Sequence, residues 1–315
     1  MDKKKKVVIG SRGSKLALIQ ANWVKTQLEE KYPETEFAIE KIKTTGDKIT
    51  DVPLAKIGAV GLFTKELENA LLDKKVDLVV HSAKDVQTEI PEGLVLGAFT
   101  ERKDPHDVLI SKDNVSLRDL PKNTKIGTSS LRRRSQILAF RPDIEVVDIR
   151  GNLDTRLQKI ESGELDAIVV AMAGLQRFGQ TDKVSEVISY DIMLPAVGQG
   201  ALCIEIRDGD LVIEKIVSTL NHYDTRYAVK AERALLAKLQ GGCQVPVGAH
   251  AEVLYPVNIK IEAVIGSLDG TTIYRDSVTG KVDDCEILGE ELANKLSGMG
   301  GYAILSEIRS SLAKE

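Results

Sequence analysis

Along the first two-thirds of the chain, short runs of apolar and β-branched residues alternate with stretches whose apolar positions recur every three or four residues. "VVIG" leads into "SKLALIQANWVKTQLEEKY", "FAIEKIK" ends at "TTGD", "FTKELENALLDKK" runs into "VDLVVHSAKD", and "LVLGAF" and "DVLIS" follow. After a polar stretch come "KIGTSS", "LRRRSQILAF", "IEVVDIRGN", "LDTRLQKIESGEL" and "DAIVVAMAGLQRFG". Short β-rich runs bounded by turn residues predict strands, and a period near 3.6 predicts helices. Interleaved in this way, they predict α/β layers with largely parallel sheets.

The pattern also echoes itself. "VVIGSRGSKLALIQ" resembles "TKIGTSSLRRRSQIL", and "LLDKKVDLVVHSAKD" resembles "IESGELDAIVVAMAG". Two similar lobes, each presenting strand-to-helix turns, suggest a ligand held in a cleft between them. "PAVGQGALCIEIR" reads as a strand that returns to the first lobe. From "YDTRYAVKAERALLAKLQ" onward the character changes: one long helix is followed by "VGAHAEVL", "NIKIEAVIGS" and "TTIYRDSVTG", which alternate like antiparallel strands. "GSLDGTT" supplies their hairpin turn, and "CEILGEELANKLS" and "YAILSEIRSSLAK" supply closing helices. This last part reads as a third, smaller α+β domain.

Composition narrows the function. With 315 residues, 43% of them hydrophobic, the chain can bury two or three domain cores. A net charge of −4 and an aromatic content of 4%, without aromatic interleaving of basic residues, argue against nucleic acid. No apolar run approaches the ~20 residues of a membrane span, and "MDKKKKVVIGS" is no secretory signal. Three cysteines without C-x-x-C spacing fit a reducing cytoplasm and neither a disulfide framework nor a zinc site. The four histidines show no metal-ligand spacing.

The candidate chemistry lies in the turns. Arg12 and Ser14 occupy the first strand-to-helix turn, and Thr128, Ser129, Ser130, Arg132, Arg133 and Arg134 the matching turn of the second lobe. Arg150, Gly151, Asn152 and Arg156 surround the start of the next helix, and Arg177 follows "AMAGLQ". Helix N-termini offer free N–H groups, and arginine adds a planar fork suited to carboxylates. Three consecutive arginines call for an anion among them. Without a phosphate-binding glycine motif, several carboxylates fit better than a nucleotide. Ser82, Lys84 and Asp85 stand just past a buried strand, where α/β sheets usually bind ligands. Asp85 is placed to stabilise a cation or move protons, and Lys84 to hold an anion; His81 beside them reads as packed or hydrogen-bonded. Cys203 and Cys285 read as structural, whereas Cys243 stands in an uncluttered turn, "LQGGCQVPVG".

Seven motifs in order, "GSRGSKLAL", "GLFTKELENALL", "HSAKDV", "GTSSLRRR", "RGNLDTRL", "PAVGQGAL" and "ERALLAKLQGGCQVPVGA", resemble the porphobilinogen deaminase (hydroxymethylbilane synthase) family from about Val7 onward. The resemblance implies two periplasmic-binding-protein-like lobes with a cleft between them, residues 1–100 with 201–219 and residues 101–200. It also implies a C-terminal α+β domain over 220–315. It implies a cytoplasmic, monomeric enzyme of tetrapyrrole biosynthesis that condenses four porphobilinogen molecules into linear hydroxymethylbilane with loss of ammonia. Its partners would be porphobilinogen and polypyrrole intermediates, with no nucleic acid, membrane or metal. Cys243 would carry a dipyrromethane cofactor through a thioether, held by Ser82, Lys84, Asp85, Thr128, Ser130, Arg132, Arg133, Gly151 and Arg156. Arg12, Ser14, Gln20, Phe63, Arg150, Arg156, Arg177 and Gln199 would hold substrate, and Asp85 would be catalytic.

Two departures from the family pattern stand out: Gly58-Ala59-Val60-Gly61 where a glycine and a lysine are common, and Gln87 where proline is common. Two rival readings remain. A two-lobed small-anion-binding protein without catalysis would leave Cys243 unexplained, and a cysteine hydrolase would need a histidine base that nothing fixes beside it.

Overall fold

The computed structural model describes residues 6–48, 61, 63–240 and 245–312. The chain begins with β1 (Lys6–Arg12), α1 (Lys15–Lys31), β2 (Glu36–Ile42), α2 (Thr45–Lys48), α3 (Lys65–Leu72), β3 (Leu78–Ser82) and β4 (Leu94–Phe99). It continues through β5 (Asp107–Ser111), β6 (Lys125–Gly127), α4 (Leu131–Phe140), β7 (Glu145–Val147), α5 (Leu153–Glu161), β8 (Ala167–Ala171), α6 (Met172–Phe178) and β9 (Glu186–Val187). The remainder is β10 (Leu202–Arg207), α7 (Leu211–Ser218), α8 (Tyr223–Lys238), β11 (Val247–Leu254), β12 (Asn258–Gly266), β13 (Ile273–Lys281), α9 (Cys285–Leu296) and α10 (Tyr302–Leu312). The described residues divide into two compact units, 6–48 with 61, 63–103 and 201–227, and 104–200 with 228–240 and 245–312.

In the first unit the strand order is β2-β1-β3-β10-β4. β1 runs parallel to β2 and β3, while β10 is antiparallel to both β3 and β4. The segment expected to return to the first lobe therefore enters this sheet between two earlier strands. Both faces are buried, which is why the strands read as nearly continuous apolar runs. Val7, Ile9, Leu78, Val80, Ile204 and Ile206 pack with α1 and α7 on one face. Val79 packs with Leu67 and Leu71 of α3 on the other. Each such buried aliphatic side chain contributes ~1.5–3 kcal/mol. A Cβ on Gly10 would lie 2.9 Å from Val79 Cγ2, so only glycine lets β1 approach its neighbour this closely.

The second unit repeats the plan with order β7-β6-β8-β5-β9. β6 is parallel to β7 and β8, and β5 is antiparallel to β8 and β9. In each sheet three strands and the far edge strand run one way, and a single inserted strand runs against them. The sequence echo thus has a topological counterpart. The same unit holds the antiparallel sheet β11-β12-β13. Its expected hairpin closes through the Ser267 N–H donating to Thr272 O at 2.9 Å, with Gly270 at φ +74°. α9 packs so closely on α8 that a Cβ on Gly289 would strike the Ala231 carbonyl oxygen. The architecture is two α/β lobes of one design plus a smaller α+β layer.

Candidate active site

In the first unit a pocket opens where β1 and β3 end, and six residues singled out from the sequence line it: Arg12, Ser14, Gln20, Phe63, Ser82 and Asp85. Because β1 and β3 are parallel neighbours, the turns that follow them are brought side by side. Ser14 is the N-cap of α1, its Oγ accepting from the Ala17 N–H at 3.3 Å, so the start of this 17-residue helix adjoins the pocket. The Arg12 guanidinium lies over the Phe63 ring, 4.1 Å from its centroid, a cation–π contact that orients the cation. Gly46 gives that ring its room, since a Cβ there would overlap it. Buried Gln20 donates Nε2–H to Ser82 Oγ at 2.9 Å. Asp85 sits in the short 3-10 turn after β3 with its side chain in solvent, and half-buried Lys84 precedes it.

The second unit gathers the other predicted residues around the start of α4 and the buried carboxylate of Asp107. Ser130 caps α4, its Oγ accepting from the Arg133 N–H at 3.4 Å, and Thr128 Oγ1 accepts from the Ser130 N–H at 3.3 Å. Arg132 and Arg133 turn inward. Arg132 Nη1 donates to Asp107 Oδ2 at 2.6 Å and to Leu194 O at 2.7 Å. Arg133 grips Asp107 Oδ1 through Nε at 3.0 Å and Nη2 at 2.7 Å. Gln199 Nε2 donates to the same oxygen at 3.0 Å and to Pro105 O at 2.7 Å. Burial alone would raise the Asp107 carboxyl's pKa, but the two guanidinium charges and their hydrogen bonds outweigh it and hold Asp107 well below the usual carboxylate range. The anion that the arginine run calls for is thus supplied in part from within.

Two further arginines lie on the following turn and helix. Arg156, anchored by Nε–H to Gly151 O at 3.0 Å, has its pKa pushed down to about 10 by burial and by the charge of Arg133. Arg150 Nη2 is buried without a hydrogen-bond partner among the described residues. Gly151 holds φ +106°, where a Cβ would also strike Thr155, so the turn carrying these arginines requires glycine. Arg177 Nη2 donates to Gly200 O at 2.9 Å. An unmatched buried donor and a depressed arginine are disfavoured unless an acceptor or a negative charge lies nearby.

Residues 7–215 match the family described as porphobilinogen deaminase, dipyromethane cofactor binding domain, and residues 226–298 match its C-terminal domain. The chain belongs to the porphobilinogen deaminase family. It is 52% identical over 304 residues to the porphobilinogen deaminase of Geotalea daltonii, covering 96% of this chain and 95% of that one. It is 50% identical over 312 residues to that of Chlorobium chlorochromatii, covering 98% and 99%. Among solved structures, the BvgS VFT2 domain of Bordetella pertussis aligns at 14% identity and TM-score 0.42 over 69% of this chain and 86% of that one. The alkanesulfonate-binding protein SsuA of Xanthomonas axonopodis aligns at 14% and 0.39 over 76% and 77%. Likeness at that level carries no argument about function.

Membership in this family makes the chain a transferase of tetrapyrrole biosynthesis with a dipyrromethane-binding region. Cys243 and Gly58-Ala59-Val60 lie outside the described residues. Gln87, at the other departure, donates Nε2–H to Thr64 Oγ1 at 3.4 Å on the pocket's α3 side. Cys203 and Cys285 are buried, and burial raises the Cys285 thiol pKa. Among the described residues no group of side chains could hold a metal, and no helix is long and apolar enough to cross a membrane. Two participants escape sequence reasoning. Asp107 looks like an ordinary polar strand start in "HDVLIS". Glu205 in "CIEIR" looks like a solvent-facing residue, yet it is fully buried and accepts from His81 Nε2 at 2.9 Å. For Glu205 the signal in the sequence was a charged residue inside an otherwise apolar strand.

Proposed function

We propose that the chain is a hydroxymethylbilane synthase, joining four porphobilinogen molecules head to tail, with release of four ammonia, on a dipyrromethane primer linked through a thioether to Cys243. The observation that carries the reading is the meeting of Arg12, Ser14, Gln20, Phe63, Ser82 and Asp85 in one pocket. They come from three separate stretches of sequence, and the resemblance assigned each to cofactor or substrate. The unmatched Arg150 Nη2 and the depressed Arg156 support it further, because every pyrrole unit carries an acetate and a propionate.

The residues divide by what they offer. Ser82, Lys84, Thr128, Ser130, Arg132, Arg133, Gly151 and Arg156 hold the primer's carboxylates, with Asp107 fixing the angle of both buried arginines. Arg12, Ser14, Gln20, Phe63, Arg150, Arg156, Arg177 and Gln199 bind and orient the incoming porphobilinogen, Arg12 through its acid groups and Phe63 through its ring face. Asp85 accepts hydrogen bonds from pyrrole N–H groups and stabilises the positive charge that grows as ammonia departs. The dipyrromethane supplies an electron-rich ring terminus from which elongation starts. We assign residues 1–100 with 201–219 to the first lobe, 101–200 to the second and 220–315 to the C-terminal domain, and we assign the enzyme to the cytoplasm as a monomer.

The test is the intact mass of freshly purified protein. An excess equal to two linked pyrrole units, absent from Cys243→Ser, is expected. An unmodified mass in protein that consumes porphobilinogen would overturn the covalent primer. An unmodified protein that binds small anions without turnover would instead favour a two-lobed binding module.

A further inference from the structure

Residues alternate across the first unit's sheet, and one polar group of residues lies where apolar ones are expected. On β3, Leu78 and Val80 face the α1 side, leaving Val79 and His81 on the α3 side. On β10, Leu202, Ile204 and Ile206 face the α1 side, leaving Glu205 on the α3 side. Glu68 of α3 is buried against them. Three ionisable side chains thus share one buried layer of the unit. His81 Nε2 lies 2.9 Å from Glu205 Oε2, with the side chains 4% and 0% exposed. Glu205 Oε1 has no hydrogen-bond partner among the described residues. Burial raises the Glu68 carboxyl's pKa, opposed by a hydrogen bond from Thr64, with the charges of Glu205 and His81 acting on it in opposite senses. A buried carboxylate with one unmatched oxygen is costly to keep unless the pair has work to do.

His81 also lines the pocket that holds Arg12 and Asp85. With Nε2 committed to Glu205, Nδ1 is the ring nitrogen left for a proton. This is the arrangement of a base oriented by a carboxylate, and imidazole is the side chain best suited to exchange protons near neutrality.

We propose that His81 is a catalytic base of the condensation, accepting the proton that the attacking ring must lose, and that Glu205 is its positioning residue. The proposal rests on the function proposed above. In each cycle the C–N bond of the incoming aminomethyl group, protonated as its ammonium form, breaks, its electron pair leaving with nitrogen as ammonia. The new C–C bond forms with an electron pair from the terminal ring of the growing chain. The C–H bond at that ring carbon then breaks; its pair restores the ring and its proton passes to His81, then to the ammonia, which leaves as ammonium. Asp85 keeps the separate task of balancing the positive charge while both bonds change.

The experiment compares holoenzyme carrying His81→Gln or Glu205→Gln with the parent enzyme, using porphobilinogen bearing hydrogen or deuterium at its free ring carbon. Glutamine retains a donor toward Glu205 but cannot act as a base. The expected result for His81→Gln is normal cofactor mass, a KM close to the parent's, a kcat lower by about 100-fold, and a deuterium isotope effect that the parent does not show. Glu205→Gln should move kcat and the isotope effect in the same direction by less.

A readout independent of turnover is the 15N spectrum of histidine-labelled holoenzyme. The His81 Nδ1 signal, identified by its loss in His81→Gln, should shift when a pyrrole with acetate and propionate arms but no aminomethyl group is added. A loaded His81→Gln enzyme with kcat near the parent's and no isotope effect would overturn the proposal. An isotope effect appearing in Asp85→Asn alone would do so equally, by assigning the proton to Asp85. If His81→Gln fails to fold, Glu205→Gln decides: parent-like kcat with an unmoved Nδ1 signal overturns the proposal. A parent enzyme that shows the two-ring mass and turnover while these variants are normal would remove only the His81 assignment.

Discussion

Arg133 clasps a single oxygen of Asp107 with two of its nitrogens, Nε at 3.0 Å and Nη2 at 2.7 Å, while Arg132 holds the other oxygen at 2.6 Å. Asp107 is fully buried, so its charge stays inside the protein only because these two cations balance it. Asp107→Asn leaves both guanidinium groups uncompensated and should cost on the order of 3–5 kcal/mol in denaturant unfolding. Its pH dependence has a definite sign. The native carboxyl titrates far below an unfolded aspartate, near 3.9, so the stabilisation is complete above about pH 4 and lost as pH falls below it. Parent stability should decline through that acid range, and Asp107→Asn should lack this part of the decline. An unchanged acid limb in the variant would contradict the assignment.

Arg156 is the contrasting case. Its neighbours include no carboxylate that raises its pKa, and burial with the charge of Arg133 lowers it to about 10. Arg156→Leu should therefore leave the thermal midpoint unchanged or raised, while most molecules lack the cofactor mass. Arg132→Leu should lose cofactor and stability together, because it also breaks the Asp107 pair. Fully loaded Arg156→Leu protein would exclude Arg156 from cofactor binding.

Asp85 is exposed, and its substitution should be felt only in chemistry. Asp85→Asn should unfold within about 0.5 kcal/mol of the parent while kcat falls about 10²- to 10⁴-fold. Single-turnover assays on folded, loaded protein check this, and near-parent rates would remove Asp85 from the mechanism.

The ring of Phe63 holds the Arg12 guanidinium at 4.1 Å from its centroid. Phe63→Leu removes an attraction of about 0.5–1 kcal/mol and should raise KM by about 2- to 5-fold, leaving cofactor loading intact. A loss of loading instead would place Phe63 with the primer.

Much of this was legible in the sequence because it rests on local rules. Short apolar, β-branched runs gave the strands and stretches of period 3.6 gave the helices, as in "VVIG" before α1 and "DAIVVA" before α6. Ser14 and Ser130 stood where helix caps belong, and both cap. The echo between "VVIGSRGS" and "TKIGTSSL" foretold two sheets of one design. Ser82 and Asp85 could be placed beside a pocket because the carboxyl ends of strands in α/β sheets open onto crevices.

Strands, helices and turns, the positions of the cationic turns and the family the motifs resemble could be read along the chain, since each depends on neighbours a few positions apart. That Arg132 and Arg133 point inward to Asp107, 25 and 26 residues away, emerges only from the folded arrangement of the strands. It alone decided that Glu205 meets His81 across 124 residues. The physical reason is that a side chain's charge partner is set by strand order, and strand order brings together residues whose separation along the chain carries no trace of their contact.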